Sequence, residues 1–350
     1  MRGPEVEEIE MKSGIVILVL VLMCVLEKTV AVDVVIPFGS LKLHYYKTTD
    51  TCKYAEEYVK HQVGLAWKKD RTVTASLLRL VYSDCFITGC DGSILLDGPD
   101  TEKMAPQNYG LKGFDVVDRI KKVMEAYCPG VVSCSDILHL ATKEAVALAG
   151  APKYPVFTGR RDAMTSTKAS VDLPSPSISW NQALEYFQSR GLDVLDLGTL
   201  LGAHSLGKTR CSSIYDRLYN YNKTGTRDPT LKLSFFRTLR SQCPKDSRTA
   251  NPATSPFVYL NPDSGSSYNF SNSYYSRVLR NEAVLGVDQQ FIFSSDGIRI
   301  ADEFSAIFED FRRSFALAMY RMGSIGVLTG NEGEIRKQCR FTNANNPNLK

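Results

Sequence analysis

The stretch "LLRLVYSDCFITGCDGSILLD" (Leu77–Asp97) joins an apolar run to a tight polar loop. The run carries one arginine, Arg79. The loop is clasped by a Cys-x₄-Cys spacing, Cys85 and Cys90, interleaved with the acids Asp84 and Asp91. The stretch looks prepared for chemistry, yet it holds no histidine, and residue 83 is a serine. A serine hydroxyl does not take up a proton near neutral pH. A tyrosine such as Tyr82, with an ordinary pKa of about 10, is neutral there as well.

The surrounding chain has 350 residues, 43% of them hydrophobic, enough for one large domain or two close subdomains. Near its start, "IVILVLVLMCVL" (Ile15–Leu26) is an apolar run of 12 residues. A spanning helix needs about 20. Lys12 before the run and the small residues of "TVAV" after it predict a secretory signal peptide over residues 1–31, ending near Ala31. The acidic leader is unusual for such a segment, and Met11 of "MKSG" offers an alternative start. The folded domain is then expected over residues 32–350.

Of nine cysteines, Cys24 leaves with the signal, and eight remain. An even number spread along a secreted chain predicts disulfides, whereas no paired CxxC or His-x₃₋₅-His spacing supports zinc. The pairing itself is not readable from spacing. Residues 1–31 hold three basic and five acidic side chains, so the remainder carries 39 and 33, or +6 against +4 for the whole chain. That modest excess fits an anionic extracellular polymer and argues against nucleic acid. Asn222 and Asn269 begin glycosylation sequons.

Helical periodicity dominates. "FEDFRRSFALAMYRMG" places Phe308, Phe311, Phe315 and Met319 on one face. "SWNQALEYFQSRG" reads as a helix from about Trp180 that Gly191 closes, and Asp193 is the expected N-cap of a further helix that breaks at Gly202. Turn clusters separate these segments, and strand signals are few. Of the histidines after the signal, His44 and His61 read as surface or packing residues, and His139 as buried within a helix. His204 lies in "LLGAHSLGKTRC" among Gly202, Ala203, Ser205 and Gly207. Small neighbours allow a large flat group to approach the imidazole, a pattern compatible with a haem ligand.

The ordered motifs "LLRLVYSDCFITGCDGSILLD", "TEKMAPQN", "CPGVVSCSDIL", "FTGRRDA", "LPSPS", "LLGAHSLGKTRC", "DRLYN", "VDQQ" and "GEIRKQC" resemble those of class III secretory plant peroxidases, from "LHYYKTTDTC" to Cys339. The resemblance implies an all-α fold of two subdomains around one haem b. It also implies the disulfides Cys52–Cys128, Cys85–Cys90, Cys134–Cys339 and Cys211–Cys243. His204 is the implied proximal iron ligand, with Asp288 of "VDQQ" raising its basicity.

In that family Arg79 begins Arg-Leu-x-Phe-His-Asp-Cys. The histidine is the distal base, the arginine stabilises charge as the O–O bond breaks, and the asparagine corresponding to Asn108 orients the base. Here Tyr82 replaces the phenylalanine and Ser83 the histidine. Asp84, Ile87, Gly89, Asp91, Ser93 and Glu102 match the family's distal calcium site. The proximal calcium site departs from the pattern: Ser205, Asp263, Ser266, Asn269 and Ser271 stand at its positions, one of two aspartates having become Ser271. A weak or empty second site is expected. Asp136 and Arg160 match a structural ion pair, and Pro174 matches the substrate entrance, where Ser213 replaces a frequent aromatic.

The resemblance therefore implies a monomeric, extracellular, glycosylated enzyme of the apoplast or cell wall. It would use hydrogen peroxide to oxidise small phenolic donors, slowly because of Ser83. A non-catalytic haem protein that binds wall polymers or senses redox state is the alternative. A structural glycoprotein without haem is a third reading, opposed by His204 and Asp288. A membrane-integral protein is not expected.

Overall fold

The computed structural model describes residues 41–349 apart from 247, 248, 250 and 253. The expected signal segment lies outside the described residues, and no described helix is long and apolar enough to cross a membrane. The fold is mostly helical, as expected, with two small two-stranded antiparallel sheets.

One group of helices is formed by α1 (Ala55–Lys69), α2 (Val73–Cys85), α3 (Phe114–Tyr127) and α4 (Cys134–Leu148), with α1 and α2 packed on α4. Val73, Thr74 and Val81 give α2 only moderate intrinsic helix propensity. Its stability comes from burial: Leu77, Leu80 and Val81 are fully enclosed. Thr74 and Thr142 bond across the α2–α4 contact, to the carbonyls of Ala145 and Leu77.

A second group comprises α5 (Trp180–Gln188), α6 (Val194–Leu201), α7 (Leu233–Gln242), α8 (Ser273–Leu279), α9 (Gly286–Gln289), α10 (Ser295–Ala306) and α11 (Phe308–Met322). Ser179 and Asp193 cap α5 and α6, each completing a reciprocal box with the residue three positions on. Phe311 and Phe315 of α11 are fully buried, stacked or tilted against Phe270. Each such phenyl contributes about 1.5–3 kcal/mol by leaving water.

All four implied disulfides are present, and Cys134–Cys339 ties the start of α4 to the C-terminal segment. After α2 the chain turns through Gly89, whose φ is +132°. A β-carbon there would stand 2.3 Å from the carbonyl oxygen of Gly326, so the crossing requires glycine. The amide of Cys90 donates to the Ile325 carbonyl at 2.8 Å beside it.

Candidate active site

Helix α2 supplies Arg79 and Ser83, four positions apart and therefore on one face. Arg79 is open to solvent at its surface, but the protein around it desolvates it enough to lower its pKa. One guanidinium nitrogen donates to the Gln107 carbonyl at 2.8 Å. That bond brings the helix face to the short turn Pro106–Asn108. Asn108 is buried, and its side-chain amide donates to the Glu102 carbonyl at 2.9 Å. Its Oδ1 has no partner within the protein, and neither has the fully buried Ser83 hydroxyl. Ser83 and Asn108 therefore each keep a buried orphaned polar atom, which is costly to leave unpaired.

Neither Tyr82 nor His139 offers a base here. Burial, more than the opposing charge of Arg79, pushes the Tyr82 phenol up to about 12. The buried His139 lies in α4 with Nε2 3.5 Å from the Cys85 sulfur. Burial, and then Arg160, lowers its pKa well below the ordinary value, so it is neutral. Cys85, Cys90 and His139 lie close enough to suggest a metal site, but both sulfurs are committed to the disulfide. His44 and His61 are exposed, His44 pairing with Glu56.

A second candidate region is built from the one-turn helix Gly202–Ser205 that continues α6. His204 donates from Nδ1 to Asp288 Oδ1 at 2.8 Å. Its side chain is 30% exposed whereas that of Asp288 is 1% exposed, so the acid is enclosed and the imidazole faces open space. Committing Nδ1 to the carboxylate leaves Nε2 free, and this donor chemistry fits a haem-iron ligand. Tyr274 of α8 donates to the same carboxylate oxygen at 2.8 Å. Burial, and then Asp288, raises its pKa well above the ordinary value, so it remains a donor. Sequence reading missed Tyr274. Its only signal was the aromatic pair "YY", which occurs equally in plain cores.

The acidic loop closes around Asp84, Asp91, Ser93 and Glu102, all buried. Asp84 accepts from the Gly92 amide at 3.0 Å, Asp91 from the Ser93 amide at 2.9 Å, and Glu102 from the Ser93 hydroxyl at 3.1 Å. Thr88, not singled out beforehand, bridges Asp91 and Ser93. Burial raises all three acids, Glu102 to about 8, and Asp91 adds to the rise at Asp84. Glu102 Oε1 is buried without a protein partner. Clustered carboxylates and an orphaned oxygen fit a hard dication, with the carbonyls of Ile87 and Gly89 in the same loop.

The other five oxygen-bearing positions are largely committed elsewhere. Asp263 is bonded by Arg277 at 2.9 Å and the Asn269 carbonyl by Ser264 at 2.9 Å, and the Ser271 hydroxyl donates to the Ser273 hydroxyl at 3.0 Å. Ser266 is exposed, and Ser205 keeps a buried unpaired hydroxyl. This set does not fit a divalent ion, which needs six to eight oxygens. Away from the cleft, Arg160 bonds Asp136 at 2.8 Å, and Tyr46 donates to the same acid at 2.7 Å. Pro174 and Ser213 are partly buried; Asn222 and Asn269 are exposed.

The family model described as "Peroxidase" matches residues 59–311. "Probable peroxidase 26" of Arabidopsis thaliana is 60% identical over 303 residues, covering 87% of this chain and 90% of that protein. "Probable peroxidase 61" of the same plant is 60% identical over 309 residues, covering 88% and 90%. The "Lignin-forming anionic peroxidase" of Nicotiana tabacum is 38% identical over 312 residues, covering 87% and 94%. With its helical fold and four matching disulfides, the chain belongs to the class III plant peroxidases.

Proposed function

We propose that this chain is a secreted, glycosylated haem peroxidase of the extracellular space that uses hydrogen peroxide slowly to oxidise small phenolic donors. The observation that carries the reading is the enclosed His204–Asp288 pair, with its imidazole facing open space. One haem b on His204 would supply the redox chemistry. Two phenols each lose one electron and one proton, and hydrogen peroxide takes up both pairs to become two waters. Arg79 stabilises negative charge on the departing oxygen. Asn108 Oδ1 stands ready to orient a donor beside it. Ser83 neither takes nor returns the peroxide proton, so solvent must carry it. Loss of a positioned base costs about 10²–10⁴ in rate, or roughly 3–5 kcal/mol of barrier.

One Ca²⁺ is assigned to the Asp84–Asp91 loop with Glu102 behind it, and donors are assigned to the entrance beside Pro174. Four disulfides and two exposed sequons support passage through an oxidising, glycosylating compartment. The buried, partnerless Ser83 favours one other reading, a haem protein without catalysis. Haem-loaded protein mixed with hydrogen peroxide and guaiacol separates the two. Slow turnover that saturates with peroxide supports the enzyme. An unchanged Soret band and no product above free haem refute it.

A further inference from the structure

The loop from Asn261 to Ser273 is held by the protein's own groups. The buried Asn261 side chain donates to Ser264 at 3.1 Å and to Ser273 at 2.9 Å. Ser264 passes the network to the Asn269 carbonyl, and Ser273 joins Ser271. The charge at its edge is Asp263, bonded by Arg277 Nη1 at 2.9 Å, with Arg280 at 3.9 Å from its other oxygen. Arg277 projects from α8, the helix that also carries Tyr274. Its side chain is 10% exposed, its guanidinium lies 4.6 Å from the centre of the Phe235 ring, and Glu282 approaches at 3.6 Å. A guanidinium stacked on an aromatic and bonded to a carboxylate is fixed in place, and it carries positive charge at every physiological pH.

We infer that Arg277 is a resident cation that substitutes for the second divalent ion over this loop, so that the His204 side of the molecule is held without calcium. The two arrangements exclude one another electrostatically. A dication drawn to Asp263 would meet a fixed positive charge 2.9 Å from that carboxylate. Ser271 supplies a hydroxyl already engaged with Ser273 instead of a second carboxylate. The hydroxyls of Ser205 and Ser266 are too little to hold a dication. The inference rests on family membership and on this loop, and is independent of whether the cleft turns over peroxide.

The test uses the purified haem-loaded full chain, stripped with EGTA and then titrated with Ca²⁺. Bound calcium is counted by equilibrium dialysis, and chymotrypsin cleavage near Tyr268 and Phe270 reports on the loop. Wild-type protein should take up no ion at this loop and should resist cleavage equally with and without calcium. Arg277→Gln should be cleaved at least tenfold faster in EGTA, and Arg277→Lys should recover part of the protection. The double variant Arg277→Asn with Ser271→Asp should bind one Ca²⁺ more than wild type and be protected only when calcium is present. The count is a difference from wild type, so failure of the Asp84–Asp91 site does not blur it. Three results would overturn the inference. They are calcium-dependent protection of the wild-type loop, Arg277→Gln cleavage no faster than wild type, or a folded double variant that takes up no additional ion.

Discussion

Asn108 donates its side-chain amide to the backbone carbonyl of Glu102 at 2.9 Å, which joins the Arg79 side of the cleft to the acidic loop. The bond fixes which way the Asn108 amide points. With Nδ2 committed, the free acceptor is Oδ1, and it is buried without a protein partner.

A restored imidazole would find that acceptor waiting. Ser83→His should speed the reaction with hydrogen peroxide by about 10²-fold or more, the scale of a recovered general base. Ser83→His with Tyr82→Phe should be faster still, because the bulk of the Tyr82 phenol is adjacent and gives no base. Stopped-flow absorbance of the haem-loaded protein measures both. No acceleration in either variant would show that more than the base has been lost.

The same bond ties Asn108 to the backbone of Glu102 in the acidic loop. Protein dialysed exhaustively should retain about one Ca²⁺ per chain, and Glu102→Gln should weaken that binding by about 10–100-fold, as loss of an outer partner does. Calorimetric titration gives the affinity. Two tightly held ions, or an unaffected affinity, would contradict the assignment.

His204→Ala should lose most of the Soret absorbance while all four disulfides still form, as free-thiol titration would verify. Tyr274→Phe should keep the haem but lose stability by about 1.5–3 kcal/mol, the value of a hydrogen bond to a charged acceptor. Full haem occupancy in His204→Ala would refute the ligand.

The Arg160–Asp136 pair is fully enclosed, at 2% and 0% exposure. Arg160→Met strands a buried carboxylate and should cost about 3–5 kcal/mol, read as a fall in the urea midpoint. Adding Asp136→Asn should return part of that loss, because the stranded charge disappears. Equal stability of Arg160→Met and wild type would show that the pair is not needed.

The helical character and the N-caps Ser179 and Asp193 were legible in the sequence because they depend on local periodicity and short-range hydrogen bonds. His204 stood out through its small neighbours, and the acidic loop through its spacing. The disulfide partners were not readable from spacing and came through family resemblance. Beyond the reach of the sequence lay Tyr274 on Asp288, Tyr46 on Asp136, and Arg277 on Asp263. Each joins residues from separate elements, and nothing local distinguishes a tyrosine or arginine that meets an acid from one that meets solvent. The sequence by itself determined that position 83 is a serine, which takes up no proton near neutral pH; that a base belongs there is what the family resemblance implies. Only the tertiary structure decided that neither Tyr82 nor His139 offers a base in its place. Tyr82 is held up to about 12 and His139 is buried beside a disulfide, and both outcomes depend on desolvation, which packing alone sets.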